Sequence, residues 1–344
     1  MRAMKVAWII LFATMLVSCG FSGDAGRKSP GVLVVNNMAD PSFLDPGLQS
    51  AAEDQRITLA LFEGLVVPHP KTLRPLPGVA AKWAVSRDGL TYSFDLRPCL
   101  WSDGVAVSAQ DFLYAWRRAL TPQGSAEQPT FQDQSYYISA PYVDVLYVIK
   151  GAKDWHQGRL KSFEDVGIRV IDDLHLEVVL AQPTPWFLEL LSFPTYAPVP
   201  RHVVERFQKQ WTRPENLVGN GPFNLVLRNQ GDLLRVRRSE TYWDRANVGL
   251  EGIDYLSTDQ VDTAIDQFLA GESDWVRSFN PKKVRAWLAD KELSTYLRAP
   301  EFLATFFFRL NMSDSAFSDP RVRQALSLAI DREAITRYVT GLGE

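Results

Sequence analysis

Cysteine and histidine are scarce in this chain. Two cysteines, Cys19 and Cys99, stand among 344 residues, too few for a disulfide framework or a multi-thiolate metal site. The four histidines, His69, His156, His175 and His202, are far apart, with no HExxH spacing and no Cys-rich partner. Neither a zinc centre nor a Ser-His-Asp triad finds support in that pattern. Charge of one sign is lacking too: 37 Lys and Arg face 40 Asp and Glu, a formal net charge of -3. Nucleic acid calls for a concentrated basic footprint, so a DNA- or RNA-binding role is excluded. Gly219-Asn220-Gly221-Pro222 lacks the phosphate-loop spacing, and its proline removes a donor, so a tight turn is expected there rather than a nucleotide site.

What is present is ordinary globular composition, 46% hydrophobic and 22% charged, which excludes wholesale disorder. At about 150 residues per domain, the length suggests about two domains. Aromatic residues make up 12% of the chain, enough for a core and also for a binding cleft.

The two cysteines read differently. Arg2 and Lys5 precede the run Val6–Val17, apolar except for Thr14, which is too short to span a bilayer but suits the core of a secretion signal. The run ends in Leu16-Val17-Ser18-Cys19, which resembles a bacterial lipobox. That resemblance implies cleavage after residue 18 and acylation of Cys19, whose chains would hold the protein on a lipid bilayer. Residues 19–31, rich in Gly, Ser and charge, then read as a flexible tether. Cys99 follows Pro98 at a strand end, with no His nearby in sequence, and is expected to be a packing residue.

From Val32 onward the patterning is mixed α and β. Val32–Val35, Thr91–Leu96 and the region Arg169–Leu180 read as strands, and Phe223–Leu227 with Leu233–Arg237 reads as a hairpin around Asn229-Gln230-Gly231. Ser108 with Asp111 forms a variant capping box opening an amphipathic helix that turns Phe112, Ala115 and Trp116 inward. Ser257 with Gln260 opens another helix closed by Gly271, and Asn280-Pro281 opens a third. Pro320 begins a helix with the stripe Val322, Ala325, Leu326, Ala329 and Ile330, before Asp331 caps a short last helix ending at Gly341. Pro183–Pro200 reads as a structured crossover between two lobes, and the clusters Arg117-Arg118, Arg235–Arg238 and Arg321–Arg323 read as solvated or acid-paired faces.

An ordered set of segments carries a more specific signal. Ser42-Phe43-Leu44-Asp45-Pro46, Leu61-Phe62-Glu63-Gly64-Leu65, Pro77–Trp83, Asp88–Phe94, Trp101-Ser102-Asp103-Gly104 and Ala109-Gln110-Asp111-Phe112 come first. Asn220-Gly221-Pro222-Phe223, Tyr242-Trp243-Asp244, Gly271–Trp275 and Asp319–Leu326 follow. Together they resemble the family-5 extracellular solute-binding proteins that serve peptide ABC importers. Trp101 and Phe112 are expected in the core, and Asp88-Gly89 and Asp103-Gly104 in turns, so these segments identify the fold more than the ligand.

The resemblance implies an α/β (mixed) fold: a periplasmic-binding-protein-like lobe with an inserted smaller α+β domain. Lobe one would comprise 32–62 plus 201–344, and the insert 63–200. Family members continue well past the region matching Gly341, so the second lobe is expected to be largely absent from this chain. The resemblance places ligand-binding residues at Ser50, Ala51 and Ala52, at Asn311 after a strand Ala304–Leu310, and at a tyrosine that is either Tyr136 or Tyr137. Ser50 stands where the family has an acid. Implied partners are peptides, membrane-embedded ABC permease subunits and the bilayer through Cys19. The implied protein is a monomer without cofactor, metal or catalysis, at the periplasm or cell surface.

Two readings of different class follow: a peptide-binding lipoprotein, or a non-binding remnant or one-lobe interaction module that would expose apolar helix faces. A surface hydrolase would depend on carboxylates such as Asp103 or Asp274, around which the sequence shows no acid-base constellation.

Overall fold

The computed structural model describes residues 30–122, 140–277, 279–298 and 307–340. Two sheets dominate. The first has the order β11-β1-β10-β9-β8, where β1 is Val32–Asn36, β8 Phe223–Asn229, β9 Leu233–Arg238, β10 Gly252–Leu256 and β11 Trp275–Val276. The valine-rich β1 lies inside this sheet and pairs in parallel with β10 and β11, with Val35 opposite both Tyr255 and Trp275. Strands β8 and β9 form the expected antiparallel hairpin, turned at Gly231, whose φ of 75° is a left-handed conformation that glycine adopts without strain. The helix Val261–Leu269 crosses from β10 to β11 and buries Ala264 and Ile265.

The second sheet is antiparallel, in the order β4-β5-β7-β6 over Ala80–Val85, Thr91–Leu96, His175–Val179 and Ile168–Asp172. A two-stranded ladder, β2 (Val66–Pro68) with β3 (Pro75–Pro77), precedes it. Alternation along β5 buries Tyr92, Phe94 and Leu96 on one face. The helix Ala109–Leu120 contributes Phe112, Ala115, Trp116 and Leu120 to the same core. Its start is fixed by Asp111, which accepts from the Ser108 N–H at 2.9 Å and from the Trp101 indole at 3.4 Å. Pro183–Pro200 folds over this layer: Phe187, Leu191, Tyr196 and Val199 are buried, and Tyr196 accepts from the Trp116 indole at 2.9 Å. One contiguous cluster of buried side chains runs from Val35 to Tyr255 and takes in both sheets.

Several local expectations shift. The helix expected at Ser257 begins only at Val261, with Gln260 as its cap residue, although Gly271 does take a left-handed φ of 77°. Ser257 N–H instead donates to Asp232, and the intervening backbone extends the strand exit. The described part of the expected strand Ala304–Leu310, residues 307–310, has no strand pairing. Asp331 does cap a turn at Arg332–Ala334, which widens into a π-helix over Ile335–Thr340; Gly341 lies outside the described residues. The basic clusters pair with acids as expected: Arg235 and Arg237 with Asp254, Arg238 with Glu251, Arg321 with Asp319. Cys99 is a buried free thiol whose pKa is pushed up to about 12 by burial, which suits packing and not nucleophilic attack.

Two polar clamps join the 63–200 segment to the first sheet. In one, Arg118 donates to both oxygens of the buried Asp45 at 2.5 and 2.6 Å, with its guanidinium near the buried Trp211 ring. In the other, the Glu63 carboxylate accepts from the Tyr242 hydroxyl and from the Trp243 indole (2.7 Å). The backbone of Glu63 exchanges two hydrogen bonds with the Asn220 side chain, at 3.0 and 2.9 Å. Gly219 and Gly221 lie against Leu61 so closely that an added Cβ would sit 2.2 and 2.6 Å from its backbone, which is why glycine brackets Asn220. Arg97 stacks over Trp243 at 3.5 Å and completes the second clamp.

Replacing Arg118 by Met leaves the Asp45 charge buried without its guanidinium. The expected loss is about 3 kcal/mol, measured as a lowered urea midpoint. Burial raises the pKa of Glu63 above its ordinary value of 4.5. A carboxylate raised in the folded state carries a cost that is complete above its folded pKa and is relieved as pH falls toward the unfolded value. Glu63→Gln removes that titration. Wild type is therefore expected to gain stability relative to Glu63→Gln between pH 7 and pH about 4.5, read from paired urea titrations; a constant difference would refute it.

Candidate functional site

In open sheets with parallel strands, ligands settle in the crevice beyond the carboxyl ends of those strands. Here that edge is formed by the ends of β1, β10 and β11. Strand β1 ends in Asn36, and Asn37 follows it; both are fully buried. Asn37 N–H extends the ladder to the Leu256 carbonyl at 2.8 Å, while its side-chain amide donates to Ala39 and Glu53 carbonyls. The chain then loops through Pro46 and Ser50 and enters the helix Ala52–Leu61.

Asp54 holds this loop. It is 1% exposed. Its Oδ1 accepts from Ser42 N–H at 2.7 Å, and its Oδ2 from Ser50 and Ala51 N–H at 3.2 and 3.3 Å. Ala51, the cap residue, has no side-chain acceptor, and the acid at the third helical position bonds back to the Ala51 N–H, half of a capping box. Tyr142, from the 63–200 segment, donates its hydroxyl to the Ser50 carbonyl at 3.1 Å and is itself braced edge-to-face by Phe193.

This bonding defines what the loop can offer a ligand. The N–H groups of Ser50 and Ala51 are already engaged, and the Ala51 carbonyl accepts from Gln55 N–H at 3.1 Å. Ser50 is an exposed residue, and each carbonyl retains a second lone pair. The adjoining Gln49 is 3% exposed, and neither of its amide atoms has a hydrogen-bond partner. Asp54, Tyr142 and Gln49 are additions that the sequence reading missed. Only Asp54 left a signal, an acid three places after a cap position.

The remaining expected site residues are dispersed. Asn311 is exposed; its side chain accepts from Ser313 N–H at 3.1 Å and its carbonyl from Asp314 N–H at 3.1 Å, the bonding of a turn. Among the described residues no hydrogen bond joins it to Ser50–Ala52. Cys19, Tyr136 and Tyr137 lie outside the described residues. Asp103 accepts from His202 at 2.6 Å, and Asp274 accepts from Val34 N–H at 2.8 Å beside β1; the latter is a scaffold contact. Among the described residues there is no cluster of three metal-ligating side chains, and no helix long and apolar enough to cross a membrane.

In the stripe after Pro320, Val322 is 40% and Leu326 44% exposed, Ala325 and Ala329 are exposed and Ile330 is half-buried; Leu328, on another face of the same helix, is 77% exposed. Phe307, Phe308, Tyr338 and Val339 are exposed as well.

Comparison with known proteins agrees with this architecture. The family model for bacterial extracellular solute-binding proteins, family 5 Middle, matches residues 74–344. The periplasmic oligopeptide-binding protein OppA of Escherichia coli (strain K12) is 33% identical over 314 residues, 90% of this chain and 54% of that protein. The solved structure of Burkholderia pseudomallei OppA superposes with a TM-score of 0.79 at 30% identity, covering 92% of this chain and 59% of that one. Haemophilus influenzae OppA, solved as a complex with RPPGFSPFR, gives a TM-score of 0.77 at 27% identity, with coverages of 92% and 59%. The chain thus spans little more than half the length of these relatives. With a family match over most of its length and the same mixed α/β scaffold, this chain belongs to the bacterial extracellular solute-binding proteins of family 5.

Proposed function

We propose that this chain is the ligand-capturing part of a solute-binding lipoprotein, which takes oligopeptides at the periplasm or cell surface and passes them to an ABC permease. The observation that carries this reading is the loop beyond the carboxyl end of β1, where Asp54 accepts from the Ser50 and Ala51 N–H groups and Tyr142 donates to the Ser50 carbonyl. A loop fixed before binding loses little entropy when a ligand arrives. Relatives of the same fold bear the name oligopeptide-binding protein, and one was solved with a peptide.

In this reading residues 32–62 and 201–344 form lobe one and 63–200 an inserted domain. Ser50, Ala51, Ala52 and Asn311 meet the peptide, joined by Tyr136 or Tyr137. Because the Ser50 and Ala51 N–H groups are engaged by Asp54, the loop contributes its carbonyls and the Ser50 hydroxyl. Closure over the ligand would be stabilised by binding, as in other two-state receptors. The protein acts as a monomer, without catalysis, anchored through acylated Cys19.

The exposed Val322, Leu326 and Leu328 of the helix after Pro320 favour a second reading, a one-lobe interaction module that binds no peptide. Native mass spectrometry separates the two. Heterogeneous added mass that disappears on unfolding is expected for the receptor; a bare chain overturns the peptide reading. For the anchor, Cys19→Ser is expected to move the protein from the membrane fraction to the soluble fraction and abolish the acyl mass. Unchanged membrane retention would refute lipid attachment there.

A further inference from the structure

The carboxyl ends of β1 and β11 carry a charged cluster that neither clamp uses. Arg56, in the helix Ala52–Leu61, donates through Nε to Asn37 Oδ1 at 2.9 Å and through Nη2 to the Asn37 carbonyl at 3.1 Å. Its Nη2 also lies 3.5 Å from Glu53 Oε1. Arg277, just beyond β11, reaches the same oxygen at 2.7 Å. Two guanidiniums therefore share one carboxylate, and the cluster keeps an excess of positive charge. Burial, and after it the neighbouring Arg277 charge, lowers the pKa of Arg56, as expected where cations are crowded.

Two further features fit this charge to a ligand. The Arg277 side chain is 42% exposed and spends one hydrogen bond on Glu53, whereas a guanidinium carries about five N–H donors in a planar fork suited to carboxylate. The Trp275 indole, 40% exposed, lies 5.5 Å from the Arg56 guanidinium and offers an apolar wall beside it. Glu53 directly follows Ala52, so the cluster adjoins the loop assigned to the peptide.

We infer that Arg277, Arg56 and Trp275 form an anion subsite that takes the acidic side chain of a bound peptide, its carboxylate on the guanidinium and its methylene stem on the indole. The inference rests on the peptide-receptor reading above and gives it a ligand preference: peptides with Glu or Asp at the position facing β11 bind more tightly.

The test uses the purified full chain and two pairs of probes that differ only in charge. The first pair is N-acetylglutamate amide and N-acetylglutamine amide, followed by the Trp275 indole N–H resonance, which Trp275→Phe assigns. A saturable shift with the glutamate probe alone, lost in Arg277→Gln, is expected; equal responses, or none, overturn the subsite. The second pair is Ala-Glu-Ala amide and Ala-Gln-Ala amide, measured by calorimetry. The acidic peptide is expected to bind about tenfold more tightly, the worth of one charge-assisted hydrogen bond, and Arg277→Gln to erase the difference. If both tripeptides bind equally, the subsite fails and the peptide reading stands. If neither binds while the glutamate probe still shifts Trp275, the peptide reading fails and the anion subsite stands.

Discussion

The buried carboxylate of Glu63 fixes the geometry on which the rest depends. The chain passes from the helix Ala52–Leu61 into the 63–200 segment at this residue and returns toward the first sheet near Asn220, and the two passages are bonded to each other there. Glu63 draws in Tyr242 and Trp243, Arg97 stacks on Trp243, and Gly219 and Gly221 allow the returning backbone to touch Leu61. A buried charge is tolerated only when its oxygens are well supplied with donors, and a side chain that loses one leaves the charge exposed to a poor solvent. The clamp therefore tolerates little relative movement of the two passages. The buried Asp45–Arg118 pair removes a further freedom. With both in place, Tyr142 meets Ser50 across 92 positions of sequence, and the loop beyond β1 is bonded to the 63–200 segment.

Much of this fold could be read from local pattern. The alternation of β5, the Asn229-Gln230-Gly231 turn, the acid answering Ser108 and the proline at the start of Pro320–Leu328 each act over a few residues, and each appears where expected. The parallel pairing of β1 with β10 and β11 could not be read this way, because its partners lie more than two hundred residues away and the strands carry no mark of register. The helix expected at Ser257 failed for a related reason. A serine followed by a glutamine satisfies the local rule, but Ser257 is still held by Asp232 as the strand leaves the sheet, and the helix waits until Gln260.

The site was less legible than the scaffold. Ser50, Ala51 and Ala52 came from family likeness, and nothing in their side chains announces a function. Their arrangement depends on Asp54, which looks in sequence like any acid in a first turn, and on Tyr142, whose role appears only once the fold brings it to Ser50. Arg56 and Arg277 were likewise invisible as a pair, since only the parallel placement of β11 beside β1 brings Arg277 to Glu53.

The helices after Pro320 show the limit of local rules from the other side. Asp319 accepts from Arg321 N–H at 2.8 Å and Asp331 from Ala334 N–H at 2.8 Å, so each segment has a well-formed start. Capping of this kind is worth about 1 kcal/mol, enough to place a helix boundary. It is small beside the burial of a Leu or Ile side chain, at about 1.5–3 kcal/mol each, and most helical stability in proteins comes from such packing. Leu326, Leu328 and Ile335 remain exposed. These segments are thus specified as helices by their own sequence, while the contacts that would hold them against a partner surface are not made by the described residues. Glu63 and Asp45 supply the opposite case, where polar groups with little local meaning fix the architecture because burial makes their pairing obligatory.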